Sequence, residues 1–313
     1  MRIKVVLMCV ALAGAVGCKK KGGGGGGWFV GEEGLMVDVS DDGTLGEGYD
    51  LGASETLNAI ACRYLDEAWV VGDHGTLLYT ADAGASWIEH DLGTAANLRA
   101  LATQDAGPVF VAGDGVFFTS SPASTTGTAE WLQLGDATTN FRSLAAAQRG
   151  TTVLAVADNG GIWAYDAGRL VRRATVEGVR AVAVSPDGST AIAAGAGLAR
   201  SFDGGLTWSP LAVDAGLVFE DVHIDDAGEA LAVGSGGAVA RIDADGRVLV
   251  QRLGTATLRT LHVAPSEAYS GIGYAAGDGG QVWMTLDAGW TWTEGPNIGR
   301  TVLGVDEIGA GHN

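Results

Sequence analysis

The sequence predicts an all-β protein, a seven-bladed β-propeller with four antiparallel strands to a blade, on three observations. First, a strand ending in Val-Gly or Ala-Gly and running into a polar turn recurs at Gly31, Gly72, Gly113, Ala157, Gly195, Gly234 and Gly277. The intervals are 41, 41, 44, 38, 39 and 43 residues, and a period near forty is that of a propeller repeat. Second, six units open on a related strand: "LNAIAC" (57–62), "LRALAT" (98–103), "FRSLAA" (141–146), "VRAVAV" (179–184), "FEDVHI" (219–224) and "LRTLHV" (258–263). Third, the first unit lacks that strand, while "GRTVLGVDEIG" (299–309) has nothing after it to complete. The C-terminal segment is therefore expected to supply the innermost strand of blade one and close the ring, which leaves no free edge around the circle.

Composition agrees. Fifty-one glycines, six prolines and short Val-, Ala- and Leu-rich runs between Gly/Asp/Ser clusters read as short strands joined by tight turns, and no window has the pattern of a long amphipathic helix. Within the opening strands, branched residues (Ile60, Leu101, Leu144, Val182, Val222, Leu261) alternate with small ones (Ala61, Ala102, Ala145, Ala183), the period of two that marks a strand. Small residues suit a hub where sheets converge.

The N-terminus follows different rules. Arg2 and Lys4 precede an apolar run of 13 residues, "VVLMCVALAGAVG", that stops at Cys18. The run is too short to span a bilayer and has the charged-then-apolar form of an export signal. "AVGC" resembles the lipobox of bacterial lipoproteins, which implies a signal peptide over 1–17, cleavage before Cys18 and lipid attachment to its sulfur. Several acyl chains would then hold the protein on a membrane, most simply the outer membrane of a bacterial envelope. "KKKGGGGGG" completes residues 18–27 as a flexible tether, and 28–313 is expected to be one propeller. Of the three cysteines, Cys9 leaves with the signal and Cys18 takes lipid, so Cys62 in "LNAIAC" is left as a small core residue without a disulfide partner.

The formal charge is −18, and all four lysines fall within the first 21 residues. Nucleic acid is a poor partner for such a surface, because its binding rests on neutralising phosphates. No cofactor or metal is expected, and the protein is expected to be a monomer.

Three units carry a further pattern at fixed offsets. "TADAGASW" holds Asp82, Gly84 and Trp87, "SFDGGLTW" holds Asp203, Gly205 and Trp208, and "TLDAGWTW" holds Asp287, Gly289 and Trp292. The pattern is similar to the Asp-box of BNR-repeat proteins, and its longer context resembles BNR-like propellers that include photosystem II stability and assembly factors. That resemblance implies a structural corner between the third and fourth strands: Asp accepts turn N–H groups, Gly supplies positive φ, and Trp packs between blades. Identical copies in separate blades cannot converge on one substrate. "TSSPASTTGTAEW" lengthens the turn and keeps Trp131, whereas "AYDAGRL" (164–170) and "RIDADGRV" (241–248) lose the tryptophan and are expected to pack more weakly at their outer edges.

Function is expected where blades converge. The second position of the opening strand reads Asn58, Arg99, Arg142, Arg180, Glu220, Arg259, with Arg300 as a seventh, so five of fifteen arginines share one place in the repeat. Guanidinium groups gathered there would pair with carboxylate or phosphate and suit an acidic segment or free C-terminus of a partner protein. Arginine patches are also implied by the assembly-factor resemblance. The opposing expectation is that each arginine bridges to a carboxylate on the next blade. His223 and His262 replace alanine at one position of neighbouring strands, close to the channel; no third metal ligand is evident at matching positions, with Asp221 the only nearby candidate, so they read as satisfied hub histidines rather than a metal site. The alternative to a binding protein is a secreted BNR-type glycoside hydrolase or carbohydrate-binding protein. "NLRAL" and "NFRSL" lack the proline of a sialidase Arg-Ile-Pro motif, and the arginines follow the repeat rather than a triad spacing.

Overall fold

The computed structural model describes residues 5–6, 26–49, 51, 54–63, 66–105, 107–121, 130–135, 138–264 and 271–308. The export signal apart from Val5 and Val6, the lipidation site Cys18, and the tether up to residue 25 lie outside the described residues, as does 122–129 of the lengthened turn.

The short β-rich runs form seven four-stranded antiparallel sheets, and Val5–Val6 adds two residues to the outer edge of the second. The innermost strands, Val302–Ile308, Leu57–Cys62, Leu98–Thr103, Phe141–Ala146, Val179–Val184, Phe219–Ile224 and Leu258–Val263, touch one another in a closed cycle. The ring closes as the two incomplete units imply: Gly26–Gly31 pairs with Val302–Ile308, Phe29 opposite Val305 and Gly26 opposite Ile308. Blade one therefore begins at Gly26, two residues before the expected boundary. Gly26 and Gly27 are buried, and a Cβ on Gly26 would lie 2.8 Å from the Val39 carbonyl oxygen. Glycines that read as tether are required there by close approach.

The core lies between blades. Trp28, Val30 and Met36 of blade one pack on Ile60, Val70, Leu78 and Trp87 of blade two, and similar layers separate the other neighbours. The recurring glycine has a definite cause. Each innermost strand has a bulge after its first residue, which presses the preceding carbonyl against the end of the second strand. A Cβ would lie 1.9 Å from Asn97 O at Gly113, and 2.0 Å from Gly178 O at Gly195 and from Val218 O at Gly234.

At the hub, side chains hydrogen-bond to the next blade. Ser143 Oγ accepts from Val182 N at 3.2 Å, Asp221 Oδ2 from Leu261 N at 2.9 Å, Thr260 Oγ1 from Val305 N at 3.2 Å and Asp306 Oδ2 from Cys62 N at 2.7 Å. Backbone groups that a converging hub would strand are satisfied this way.

The three Asp-containing corners share one geometry. In blade five, Asp203 accepts from Ser201 Oγ at 2.7 Å, Thr207 Oγ1 at 2.6 Å and Thr207 N at 2.9 Å, while Ser201 Oγ accepts from Gly205 N at 2.8 Å. These donors, Thr207 first, pull the Asp203 carboxyl down to about 2. Gly84, Gly205 and Gly289 have φ of 80, 87 and 81°, and an added Cβ would also strike the preceding blade: Trp28, Leu154 and Leu231. Trp208 and Trp292 donate to the carbonyls of Gly205 and Gly289 at 3.1 and 3.2 Å, and Trp87 packs on Trp28. Blades four and six, whose corners lack the tryptophan, have outer strands of seven and five residues, against three in blades two and five and five in blade seven.

Strand direction defines two faces. The start of each innermost strand and the turn after the second strand share one face. The Asp-containing corners, the turn between first and second strands, and the entry at Gly26 share the other. Removing residues 300–313 deletes the innermost strand of blade one with its buried Val302 and Val305 and should sharply lower the melting temperature and broaden the transition by circular dichroism. An unchanged melting temperature would contradict ring closure by this strand.

Candidate functional site

The bulge in each innermost strand turns its second residue into the channel mouth. Asn58, Arg99, Arg142, Arg180, Glu220 and Arg259 line one cavity of about 310 Å3, with Asp221, Thr260 and Leu303. Four of the five predicted arginines converge there. Arg300 does not: Val302 is the first residue of the closing strand and pairs with Gly31 across the bulge, so Leu303 takes the seventh place. Arg300 instead reaches blade one's turn, donating to Glu33 O at 3.3 Å.

The arginines are paired, mostly within their own blade. Arg99 Nε donates to Asp114 Oδ1 at 2.6 Å and its NH2 to Oδ2 at 3.1 Å. Arg259 Nε donates to Asp278 Oδ1 at 2.5 Å, and Arg142 Nε stands 4.0 Å from Asp158. Asn58 donates to Asp73 at 2.8 Å. Each of these acids follows the recurring Val-Gly or its equivalent. Blade five has Ala196 there, and Arg180 turns to Glu220 of the next blade. The expected bridging to the neighbouring blade thus holds for Arg180 alone among these four. The mouth is a ring of ion pairs, with four guanidinium groups against Asp73, Asp114, Asp158, Glu220 and Asp278. Side-chain exposure of the arginines is 35 to 45%, so each keeps an open edge.

A second group lies farther along the innermost strands, between blades six, seven and one and outside the mouth cavity. His223 and His262 stand with ring centroids 6.0 Å apart, and the register of the closing strand places Asp306 at their position in the repeat. His262 Nδ1 is 2.9 Å from Asp306 Oδ1, and its Nε2 is 3.8 Å from Glu307, which is 3% exposed. Burial opposes protonation of His262, but Asp306 and Glu307 outweigh it and raise the imidazole to about 10. Asp221 stands near enough to His262 to feel its charge, and its carboxylate accepts from the amides of Val222 and Leu261. Burial lifts its carboxyl to about 6. Among the described residues no group of three or more His, Cys, Asp or Glu has an arrangement that could hold a metal ion.

Sequence reasoning missed Asp306 because taking Arg300 as the second position shifts the closing strand by three residues. Aligning the valine of "VLGVDE" with Leu57 puts Leu303 at the mouth and Asp306 beside the histidines.

Seven closed four-stranded blades around a polar channel define the chain as a seven-bladed β-propeller. Solved structures that it resembles include YCF48 bound to D1 peptide, at TM-score 0.61 and 18% identity over 79% of this chain and 83% of that one. YCF48 from Cyanidioschyzon merolae matches at 0.58 and 17%, over 80% and 88%. The WD40 β-propeller domain of Doa1 matches at 0.62 and 14%, over 80% and 86%. No family model and no curated protein matches the sequence.

The buried groups set a pH dependence of stability. His262 is raised above its ordinary 6.5, so its contribution is complete below that pH and is lost as pH climbs towards about 10. Asp221 is raised above 3.8, so the folded state alone holds its proton up to about 6, and stability again falls as pH rises through that window. The melting temperature should therefore drop between pH 6.5 and 10, and His262→Gln should flatten that limb. An equally steep limb in the variant would remove His262 as its source.

Proposed function

We propose that the protein is a non-enzymatic binding propeller of the bacterial envelope, anchored by lipid on Cys18, whose mouth receives the end or a short loop of a partner polypeptide. The observation that carries the proposal is the convergence of Arg99, Arg142, Arg180 and Arg259 on one cavity with an open edge on each guanidinium. The cavity falls at the small end of the roughly 300–1,000 Å3 of ligand sites, which suits a chain terminus or loop tip better than a folded surface.

Charge narrows the ligand. Because carboxylates already face the arginines, a run of acidic residues would be repelled, whereas one carboxylate can seat across two open guanidinium edges. A free C-terminus has that chemistry, and Leu101, Leu144 and Leu261 supply apolar wall for the residue before it. A propeller of the same fold, YCF48, takes a D1 peptide. The three corners are best read as Asp-box repeats, whose carboxylates are consumed by turn hydrogen bonds and so belong to architecture. A protein of this kind serves as a scaffold or assembly factor. The "AVGC" pattern supports the anchor, and cleavage there would remove Val5–Val6 from the edge of blade two.

Two experiments test these statements. Capture from envelope extracts should lose partners when Arg99, Arg142, Arg180 and Arg259 are changed together to Ala, and a C-terminal peptide of a captured partner should bind about tenfold more weakly once amidated, the size of one charge-assisted hydrogen bond. An identical partner set with the variant would remove the mouth as the docking site. Separately, Cys18→Ser should move the protein from membranes to the soluble fraction, and unchanged anchoring would exclude lipidation at that residue.

A further inference from the structure

On the face opposite the mouth, the corners are not equivalent. In blade two the residues flanking the central turn of the corner are Ala81 and Ala85. In blade five they are Phe202 and Leu206, and in blade seven Leu286 and Trp290, all between 56 and 70% exposed. The Asp203 and Asp287 carboxylates are turned into their own hydroxyl and amide donors, so these large side chains are what each corner presents outward. Blade six lies between and exposes Leu249 on its outer strand.

The three corners are tied into one arc. Arg200 donates to Ala244 O of blade six at 2.7 Å, and Arg241 donates to Ala288 O of blade seven at 2.8 Å. Arg241 also lies 3.8 Å over the Trp290 ring and Arg200 5.7 Å from the Phe202 ring, which fixes both aromatics while leaving their outer faces open. Among the described residues no large, exposed hydrophobic side chain sits on a turn of the mouth face. The corner hairpins of blades five to seven bring Arg200, Arg241 and Arg247 to this face, and the first-to-second-strand turns of blades five and six add Asp187, Asp225, Asp226 and Glu229; Arg241 pairs with Glu229, and Asp226 with Arg149 of blade four.

The chain enters the propeller on this same face, at Gly26, beside blade seven: a Cβ on neighbouring Gly27 would lie 3.1 Å from Tyr274. Eight residues from Cys18 to Gly26 reach at most about 29 Å, so a lipid on Cys18 holds this face within reach of the bilayer. We infer that the corners of blades five to seven rest in the membrane interface, with Phe202, Leu206, Leu286 and Trp290 inserted among the lipid headgroups, and that the arginine mouth faces away from the membrane. Exposed aromatic and aliphatic side chains fixed on a rim favour that interfacial layer. The second contact suppresses rotation about the tether and presents the mouth to partners in one direction. This orientation rests on the lipid-anchor reading.

The test uses the full lipidated protein in a Cys62→Ala background, reconstituted on phosphatidylethanolamine/phosphatidylglycerol vesicles carrying an acyl-chain quencher. Single variants Leu206→Cys, Leu286→Cys and Glu177→Cys, the last on a mouth-face loop, are labelled with an environment-sensitive fluorophore. The two corner labels should shift to the blue and lose intensity to the lipid-borne quencher, and the Glu177→Cys label should do neither. Adding Phe202→Ser and Trp290→Ser should abolish the shift at Leu286→Cys while the protein still sediments with the vesicles. Corner labels that stay water-like on sedimenting protein would overturn the orientation and leave the anchor standing. Labels shielded from water without lipid quenching would assign the arc to a second copy and overturn it equally. Failure of the whole protein to sediment would remove the anchor and this orientation with it.

Discussion

The pairing of Gly26–Gly31 with Val302–Ile308 is the constraint on which the rest of the molecule depends. A linear row of blades would leave an open sheet edge in the first unit and let neighbouring layers slide apart. Closure fixes the curvature, and curvature forces the crowding that explains the sequence: glycine where a carbonyl presses on the end of the second strand, small residues around the hub, and side chains at the third position that take backbone N–H groups of the next blade. The seam also concentrates buried charge. His262 of blade seven, Asp306 and Glu307 of blade one and the Cys62 amide of blade two meet where the ring is joined, so electrostatics and topology fasten the same joint.

The two faces divide the work. On one, a polar mouth is built from a single repeat position whose charges are balanced by acids on the adjoining turns. On the other, a structural corner is reused, and two of its copies carry large apolar residues at positions the turn leaves unconstrained. A repeat protein can vary such positions blade by blade without disturbing the hydrogen bonds that define the corner. The result is a disc with a chemically distinct front, back and side.

Much of this was legible in the sequence because period and strand pattern survive divergence. Seven units, the fragmentary first blade and the common place of Arg99, Arg142, Arg180 and Arg259 all follow from spacing. Three features did not. Gly26 and Gly27 look like tether because glycine carries no record of what it packs against. The register of the closing strand was displaced because Arg300 offered a false match, which hid Asp306. The partners of the arginines were one residue beyond the recurring glycine, in plain view, but a bulge rather than a regular ladder brings them together, and bulges leave only a faint trace in sequence.

Closure has a kinetic side as well. Phe29 and Val305 are 276 residues apart, so the first strand of the propeller to be synthesised waits for the last. The entropic cost of so long a loop grows only logarithmically with length, but the delay is absolute: until residues 302–308 arrive, strand 26–31 pairs with Leu35–Ser40 along one edge and leaves the other open. An unclosed chain is complementary to itself, with a socket at one end and a plug at the other. Two chains caught open together would exchange strands, and exchange that fails to close on itself would string propellers head to tail. The contacts of Asp306 with His262 and with the Cys62 amide form only when that strand is seated, so the seam is completed last.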